Sequence, residues 1–223
     1  MRKIAFTKMH GAGNDYIYVN CLDGFSFDPS NLAVKMSPRH FSVGSDGLVL
    51  ILPSDIADAR MRMFNADGSE GKMCGNAIRC VGKYLSDGGY TAKDVLTIET
   101  LSGVKTLHLY KENGLVSAVS VDMGHAVFTA KEIPALYSEN EMIDAPVDVS
   151  GKIYHMTAVS MGNPHTVIFT TGVKDLPLDK MGPTFENLPI FPERVNTEFV
   201  EVVSPKELIM RVWERGSGET FAC

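Results

Sequence analysis

No stretch of this 223-residue chain approaches the ~20 consecutive apolar residues that cross a bilayer. The N-terminus, Met1-Arg2-Lys3-Ile4-Ala5-Phe6-Thr7-Lys8, also lacks the apolar core of a secretory signal. A cytoplasmic protein is expected. Basic charge is scarce: 21 Lys+Arg against 27 Asp+Glu leave a net charge of −6, with no basic run, which argues against nucleic acid or an anionic membrane as partner. Cysteine is scarce too. The four thiols, Cys21, Cys74, Cys80 and Cys223, are too few for a disulfide scaffold, and in the cytoplasm they stay reduced. There is no C-x2-C pair, Cys74 and Cys80 lie six apart, and the histidines are scattered, so no metal site is expected.

What is present is a soluble, 44% hydrophobic composition cut into short β-rich runs by Gly-, Asn-, Asp- and Pro-containing turns. Strands are expected over Lys3–Thr7, Tyr16–Asn20, Leu48–Leu52, Ala59–Phe64, Val95–Thr100, Lys105–Tyr110, Val116–Asp122, Ile153–Ser160, His165–Thr170, Thr197–Val203 and Leu208–Trp213. One helix is expected after Cys74, where Ala77, Ile78, Val81, Tyr84 and Leu85 keep helical spacing until Ser86-Asp87-Gly88-Gly89 stops it. The fold class is α+β, strand-heavy.

An internal repeat organises these elements. Shifting the chain by 149 residues superposes Lys3-Ile4 on Lys152-Ile153, Gly13-Asn14 on Gly162-Asn163, Met61-Arg62 on Met210-Arg211, Glu70 on Glu219 and Cys74 on Cys223, with Phe64 on Trp213. Eight identities over 74 aligned positions exceed the ~4–5 expected by chance only modestly. Their clustering, with no gap required, carries the argument. The expected domains are 1–122 and 123–223, with Met123–Gly151 as the bridge. The first unit runs on beyond its Cys through a helix and three strands, so the second reads as incomplete after Cys223.

Two loops could carry chemistry. Asn65-Ala66-Asp67-Gly68-Ser69-Glu70-Gly71-Lys72-Met73 leaves a strand and delivers Cys74 to a helix start, where unpaired N–H groups and the dipole favour a thiolate. Gly75 and Asn76 offer close backbone approach and an amide at the same helix end. The bland alternative is a small buried hydrophobe, which is the reading adopted for Cys21 and Cys80. Glu214-Arg215-Gly216-Ser217-Gly218-Glu219-Thr220-Phe221-Ala222-Cys223 repeats the design. Two thiols facing each other across a cleft suit removal of a Cα proton from one face and its return to the other, as in a racemase or epimerase. Asn14, Asn65, Asn163 and Asn196 either perform turn chemistry or join Arg215 around a zwitterionic ligand. His165 and Glu214 are candidate helpers of the thiols.

Several motifs together resemble the diaminopimelate epimerase family. They are Met9-His10-Gly11-Ala12-Gly13-Asn14-Asp15-Tyr16, Phe64-Asn65-Ala66-Asp67-Gly68-Ser69-Glu70, Cys74-Gly75-Asn76-Ala77-Ile78-Arg79-Cys80, Met161-Gly162-Asn163-Pro164-His165, Phe191-Pro192-Glu193-Arg194-Val195-Asn196 and the run from Trp213 to Cys223. The resemblance covers essentially the whole chain and separates it from proline racemase and phenazine-biosynthesis relatives. It implies two pseudo-symmetric domains, each a β-barrel-like sheet around a central helix, with the substrate, diaminopimelate, between them. It implies a homodimer and no cofactor, neither pyridoxal phosphate nor metal. Cys74 and Cys223 match the catalytic pair, His165 and Glu214 the assisting groups. Asn14, Asn65, Gly75, Asn76, Asn163, Asn196, Glu214 and Arg215 match substrate-binding positions. Gly47 departs from family members that carry Gln there, and the Gly-Thr-Gly turn that follows the family's second Cys is missing. The expected activity is interconversion of LL- and meso-diaminopimelate; the alternatives are an inactive or assembly-dependent fragment of such an enzyme, or a related cofactor-independent racemase.

Overall fold

A computed structural model describes residues 3–221. Two compact units are present, Met1–Met123 and Gly124–Cys223. In the first, strands β1 (Thr7–Gly11), β2 (Asn14–Asn20), β3 (Gly47–Leu52), β4 (Ala59–Asn65), β5 (Glu70–Gly71), β6 (Val95–Thr100), β7 (Gly103–Glu112) and β8 (Leu115–Val121) form one sheet. Its order is β1-β2-β3-β4-β6-β7-β8, with β5 paired to β4. Helices α1 (Pro29–Met36) and α2 (Gly75–Asp87) pack against it.

The strand β3 shows why. Gly47-Leu48-Val49-Leu50-Ile51-Leu52 has no polar alternation and is buried at every position, as a strand covered on both faces must be. Leu48, Leu50 and Leu52 join Ile17, Val19, Phe64 and Ala33 of α1 in one cluster. Val49 and Ile51 join Tyr16, Tyr18, Met61 and Met63 with Ala77, Ile78, Val81 and Leu85 of α2 in another. Each of these large side chains contributes about 1.5–3 kcal/mol of burial. The α2 positions are those that the helical spacing selects, and Cys80 and Cys21 lie buried in the two clusters as core residues.

The expected strand Lys3–Thr7 is displaced: β1 begins at Thr7. The β1–β2 hairpin turns on Ala12 (φ 53°) and Gly13 (φ 87°), both in the left-handed region, as a two-residue turn that matches strand twist requires. That turn sets the register at Gly11↔Asn14 and carries pairing back only to Thr7↔Tyr18.

The second unit contains β9 (Ala145–Val149), β10 (Lys152–Ser160), β11 (Pro164–Phe169), β12 (Asn196–Ser204), β13 (Glu207–Glu214), β14 (Gly218–Thr220) and helix α3 (Leu178–Glu186). The sheet order is β14-β13-β12-β11-β10-β9. The repeat is visible pair by pair. Tyr16↔Gly47 and Leu48↔Phe64 in the first unit become His165↔Asn196 and Thr197↔Trp213 in the second. Likewise Phe64↔Glu70 becomes Trp213↔Glu219. Even an ion pair is copied: Arg62 Nε to Glu70 Oε1 and Arg211 Nε to Glu219 Oε1 are both 2.7 Å.

The repeat is not ungapped, however. Gly11↔Asn14 closes a two-residue turn, whereas Ser160↔Pro164 closes a three-residue one. The offset is therefore 149 from β2 onward and 150 for β1 against β10, so the Lys3-Ile4 match with Lys152-Ile153 is one residue out of structural register. Nor is Met123–Gly151 a bare bridge. Ala130, Ile133, Ala135, Met142 and Ala145 sit in the core cluster of the second unit with Phe185 and Phe199, and β9 pairs with β10.

Two helices lie outside the expected inventory. In α1, Asp28 caps the N-terminus by accepting from Ser30 N and Asn31 N, and Pro29 occupies the first turn. In α3, Gly182 lies so close to Trp213 that a Cβ there would sit 2.2 Å from the indole ring. Its counterpart under the offset is Ala33, and that of Trp213 is Phe64. A larger ring is matched by a smaller helix residue. Among the described residues the second unit has no counterpart of α2 or of β6–β8. Leu208 and Met210 are accordingly exposed, while their counterparts Ala59 and Met61 are buried in the α2-facing cluster.

Candidate active site

The best-defined constellation lies at the start of α2. β5 and the buried Met73 bring Cys74 to the N-cap with extended backbone (φ −142°, ψ 114°). Its Sγ accepts from the Ala77 N–H at 3.4 Å and donates to Asn14 Oδ1 at 3.5 Å. The first hydrogen bond and the positive end of the helix favour charge on sulfur, and the second favours the proton. The β1–β2 turn that carries Asn14 comes close enough to α2 that a Cβ on Gly11 would lie 2.7 Å from Asn76 O. Only glycine permits that approach. The role as core filler, set against the functional reading of Cys74, fits Cys80 instead, whose thiol pKa is raised by burial, as is that of Cys21.

Asn14 is fully buried, and its Nδ2 donates to Asp46 Oδ2 at 2.8 Å. Asp46 Oδ2 also accepts from Asp15 N at 3.0 Å. Arg39 binds Asp15 through two nitrogens, at 2.7 and 3.2 Å, and Asp46 Oδ1 at 2.7 Å. Burial raises the Asp15 pKa, but Arg39 and Lys8 outweigh it and hold the carboxyl below its usual range. Asn76 Oδ1 accepts from Arg79 Nη2 at 2.6 Å. Asn65 ends β4, and its Nδ2 donates to Ser69 Oγ at 3.0 Å within the turn to β5. Gly75 opens the helix.

The second unit gathers its candidates at the corresponding strand ends. His165 is buried, with Nδ1 2.7 Å from Glu198 Oε1 and Nε2 2.9 Å from Asn163 Oδ1. Asn196 Oδ1 accepts from Arg215 N at 2.8 Å. Glu214 Oε1 accepts from Thr220 Oγ1 at 2.8 Å, and Arg215 Nη1 donates to Glu193 O at 2.8 Å. The turn that carries Arg215 is anchored by the buried Glu186, which accepts from Gly216 N (3.0 Å), Arg194 Nη1 (2.9 Å) and Trp213 Nε1 (2.8 Å). Cys223 lies outside the described residues.

Asn14, Cys74, Gly75 and Asn76 thus meet at one helix start, with Asn65 at the neighbouring end of β4. Asn163, His165, Asn196, Glu214 and Arg215 share one end of β11–β13. Asp46, Arg39, Glu198 and Glu186 are polar partners that the sequence reading passed over. Glu198 had a signal, a charged residue directly before the apolar pair Phe199-Val200 within the expected strand Thr197–Val203. Asp46 had none beyond its place before a wholly apolar strand.

A model of the family described as diaminopimelate epimerase matches residues 6–129 and 157–223. The chain belongs to the diaminopimelate epimerase family. Among relatives, the diaminopimelate epimerase of Desulfovibrio desulfuricans is 56% identical over 226 residues, covering 99% of this chain and 79% of that protein. The diaminopimelate epimerase of Acetivibrio thermocellus is 55% identical over 218 residues, covering 98% and 78%. Solved structures share the fold: a probable proline racemase from Agrobacterium radiobacter has a TM-score of 0.71 at 15% identity, covering 99% of this chain and 73% of that one. A hydroxyproline epimerase from Agrobacterium vitis has a TM-score of 0.65 at 14% identity, covering 97% and 71%. The motif resemblance to the diaminopimelate epimerase family is borne out, as is the mixed, strand-heavy fold with two curled sheets. The departure at Gly47 acquires a cause: a Cβ there would lie 2.1 Å from Phe64 O and 2.8 Å from the Tyr16 ring. This backbone admits no side chain at that position. No helix among the described residues is long and apolar enough to cross a membrane.

Proposed function

We propose that this chain is an epimerase that interconverts LL-2,6-diaminopimelate and the meso isomer, in lysine and cell-wall precursor synthesis, through two thiols. The observation that carries this reading is Cys74 at the N-cap of α2, its sulfur held by the Ala77 N–H and Asn14 Oδ1, in a chain of the diaminopimelate epimerase family. Cys223 follows β14 by the same three residues that separate Cys74 from β5, which supports it as the second thiol.

In this reading one sulfur, as thiolate, takes the α-proton: the Cα–H bond breaks and an S–H bond forms. The other sulfur, as thiol, returns a proton to the opposite face and is left as thiolate. Configuration inverts, and the two thiols exchange protonation states. Asn14, Asn65, Gly75 and Asn76 bind substrate from the first unit. Asn163, Asn196, Glu214 and Arg215 bind it from the second, with the Arg215 guanidinium suited to a carboxylate. His165, oriented by Glu198, and Glu214 assist the thiols. The protein works in the cytoplasm as a homodimer and calls on no cofactor.

Incubating the chain with LL-diaminopimelate and following the meso isomer by chiral chromatography tests the proposal. Turnover by the wild type and its loss in Cys74→Ala are expected. Near-normal epimerisation in Cys74→Ala would overturn the two-thiol mechanism.

A further inference from the structure

Asn14 faces two groups with opposite demands. Its Nδ2 donates to Asp46 Oδ2 at 2.8 Å, and its Oδ1 accepts from Cys74 Sγ at 3.5 Å. The two ends of a side-chain amide are nearly isosteric and exchange by a half-turn when the surroundings allow. Here they do not. A carboxylate only accepts, so the NH2 end must face Asp46 and the carbonyl must face the sulfur. Asp46 is itself immobilised: Oδ2 also accepts from Asp15 N at 3.0 Å, Asp46 N donates to Asp15 O at 2.7 Å, and Oδ1 accepts from Arg39 Nη2 at 2.7 Å. Cys74 therefore stands between a helix start and an N–H, which favour the thiolate, and a fixed carbonyl oxygen, which favours the thiol.

We propose that Asp46 is a positioning residue: by locking the Asn14 amide with its carbonyl toward Cys74, it holds that sulfur as the thiol until a ligand engages Asn14. The inference rests on the reading of Cys74 as a proton-transfer group, but its test does not use turnover. A chain that fails to epimerise diaminopimelate yet shows the behaviour below would refute the function and keep the lock.

The test is alkylation of Cys74 by iodoacetamide across a pH series, followed on the Cys74 peptide by mass spectrometry in the intact chain, because the rate follows the thiolate fraction. In Asp46→Ala the amide can turn and present its NH2 to sulfur. The midpoint of the rate profile should then fall by about one pH unit, which is about a tenfold faster reaction below the midpoint. Asp46→Asn keeps a carbonyl that accepts from Asn14 Nδ2 and should stay near the wild-type midpoint. A residue that merely supports the fold would not separate these two variants by pH midpoint. An unchanged or raised midpoint in Asp46→Ala overturns the proposal. Should Asp46→Ala fail to fold, Asp46→Ser replaces it, since its hydroxyl is too short to span the contact with Asn14 Nδ2 and can donate as well as accept. It should lower the midpoint in the same direction, giving about a threefold faster reaction below the midpoint. No downward movement overturns the lock there as well.

Discussion

The pairing of Gly182 with Trp213 allows the repeat to be tested by exchange between its halves. Replacing Gly182 by Ala in the middle of α3 would by propensity alone stabilise the helix by about 0.5–1 kcal/mol. The structure reverses that sign. The new Cβ would lie 2.2 Å from Trp213 Cδ2, 2.4 Å from Cε3 and 2.6 Å from Cγ, against a rigid ring that is also tied by Nε1 to Glu186 Oε2 at 2.8 Å. Overpacking of this kind costs about 1–3 kcal/mol, so Gly182→Ala should destabilise by about 1–2 kcal/mol net of propensity. Trp213→Phe alone removes a hydrogen bond to a charged group, at about 1.5–3 kcal/mol, and opens space beside Gly182. The double variant recreates the Ala33–Phe64 pair of the first unit, and the added methyl fills that space. A double-mutant cycle by urea denaturation, read by far-UV circular dichroism, should give a favourable coupling of about 1–2 kcal/mol. If the two single effects instead add to within about 0.5 kcal/mol, the claim that the halves share one packing solution is refuted.

Three further outcomes are expected. Asp15 is held below the usual carboxylate range by Arg39 and Lys8 against the opposing effect of burial, and Asp58 is lowered chiefly by its hydrogen bond from Lys93. Their folded values lie below the unfolded ones, so the stability they contribute is full above pH ~4 and is lost as pH falls through the lowered values. Arg39→Ala should therefore move the acid unfolding midpoint to higher pH, as read by circular dichroism. Glu198→Ala leaves the buried His165 without its 2.7 Å acceptor and should cost about 1–3 kcal/mol in urea denaturation. Gly47→Ala forces a Cβ toward Phe64 O and should lower the melting temperature measurably, whereas the equally small change Gly89→Ala, in open space at a loop (φ 74°), bears only the strain of its left-handed backbone.

How far the sequence foretold this depends on what kind of information each element needs. The strand Val95–Thr100 and the buried face of α2 were legible because alternation and helical spacing are local properties. Helix α3 was not. It contains Gly182 and Pro183, and it is held by tertiary contacts, with Phe185 edge-on to Tyr154 and Phe199 at 5.0 and 5.1 Å. The eight-residue α1 did carry its start signal in Asp28-Pro29, but its length gives too little periodicity to read. The displacement of β1 and the extra residue in the β10–β11 turn are matters of register, which the turn conformations decide rather than strand propensity. At the site, the chemistry-bearing types Cys, Asn, His and Arg stood out by motif. Their partners Asp46, Glu198 and Glu186 act through hydrogen bonds to residues distant in sequence, and such pairings exist only once the sheet has formed.

The central claim is that two monoprotic thiols share the reaction, and isotope placement tests it most directly. LL-Diaminopimelate is incubated with the chain in D2O, and product and remaining substrate are analysed by mass spectrometry at early turnover. One thiol removes the original proton and the other delivers a solvent-derived deuteron, so the account predicts meso product carrying one deuterium while recovered LL substrate remains unlabelled. Product that retains the original α-proton would mean that one group serves both faces, and would contradict the account.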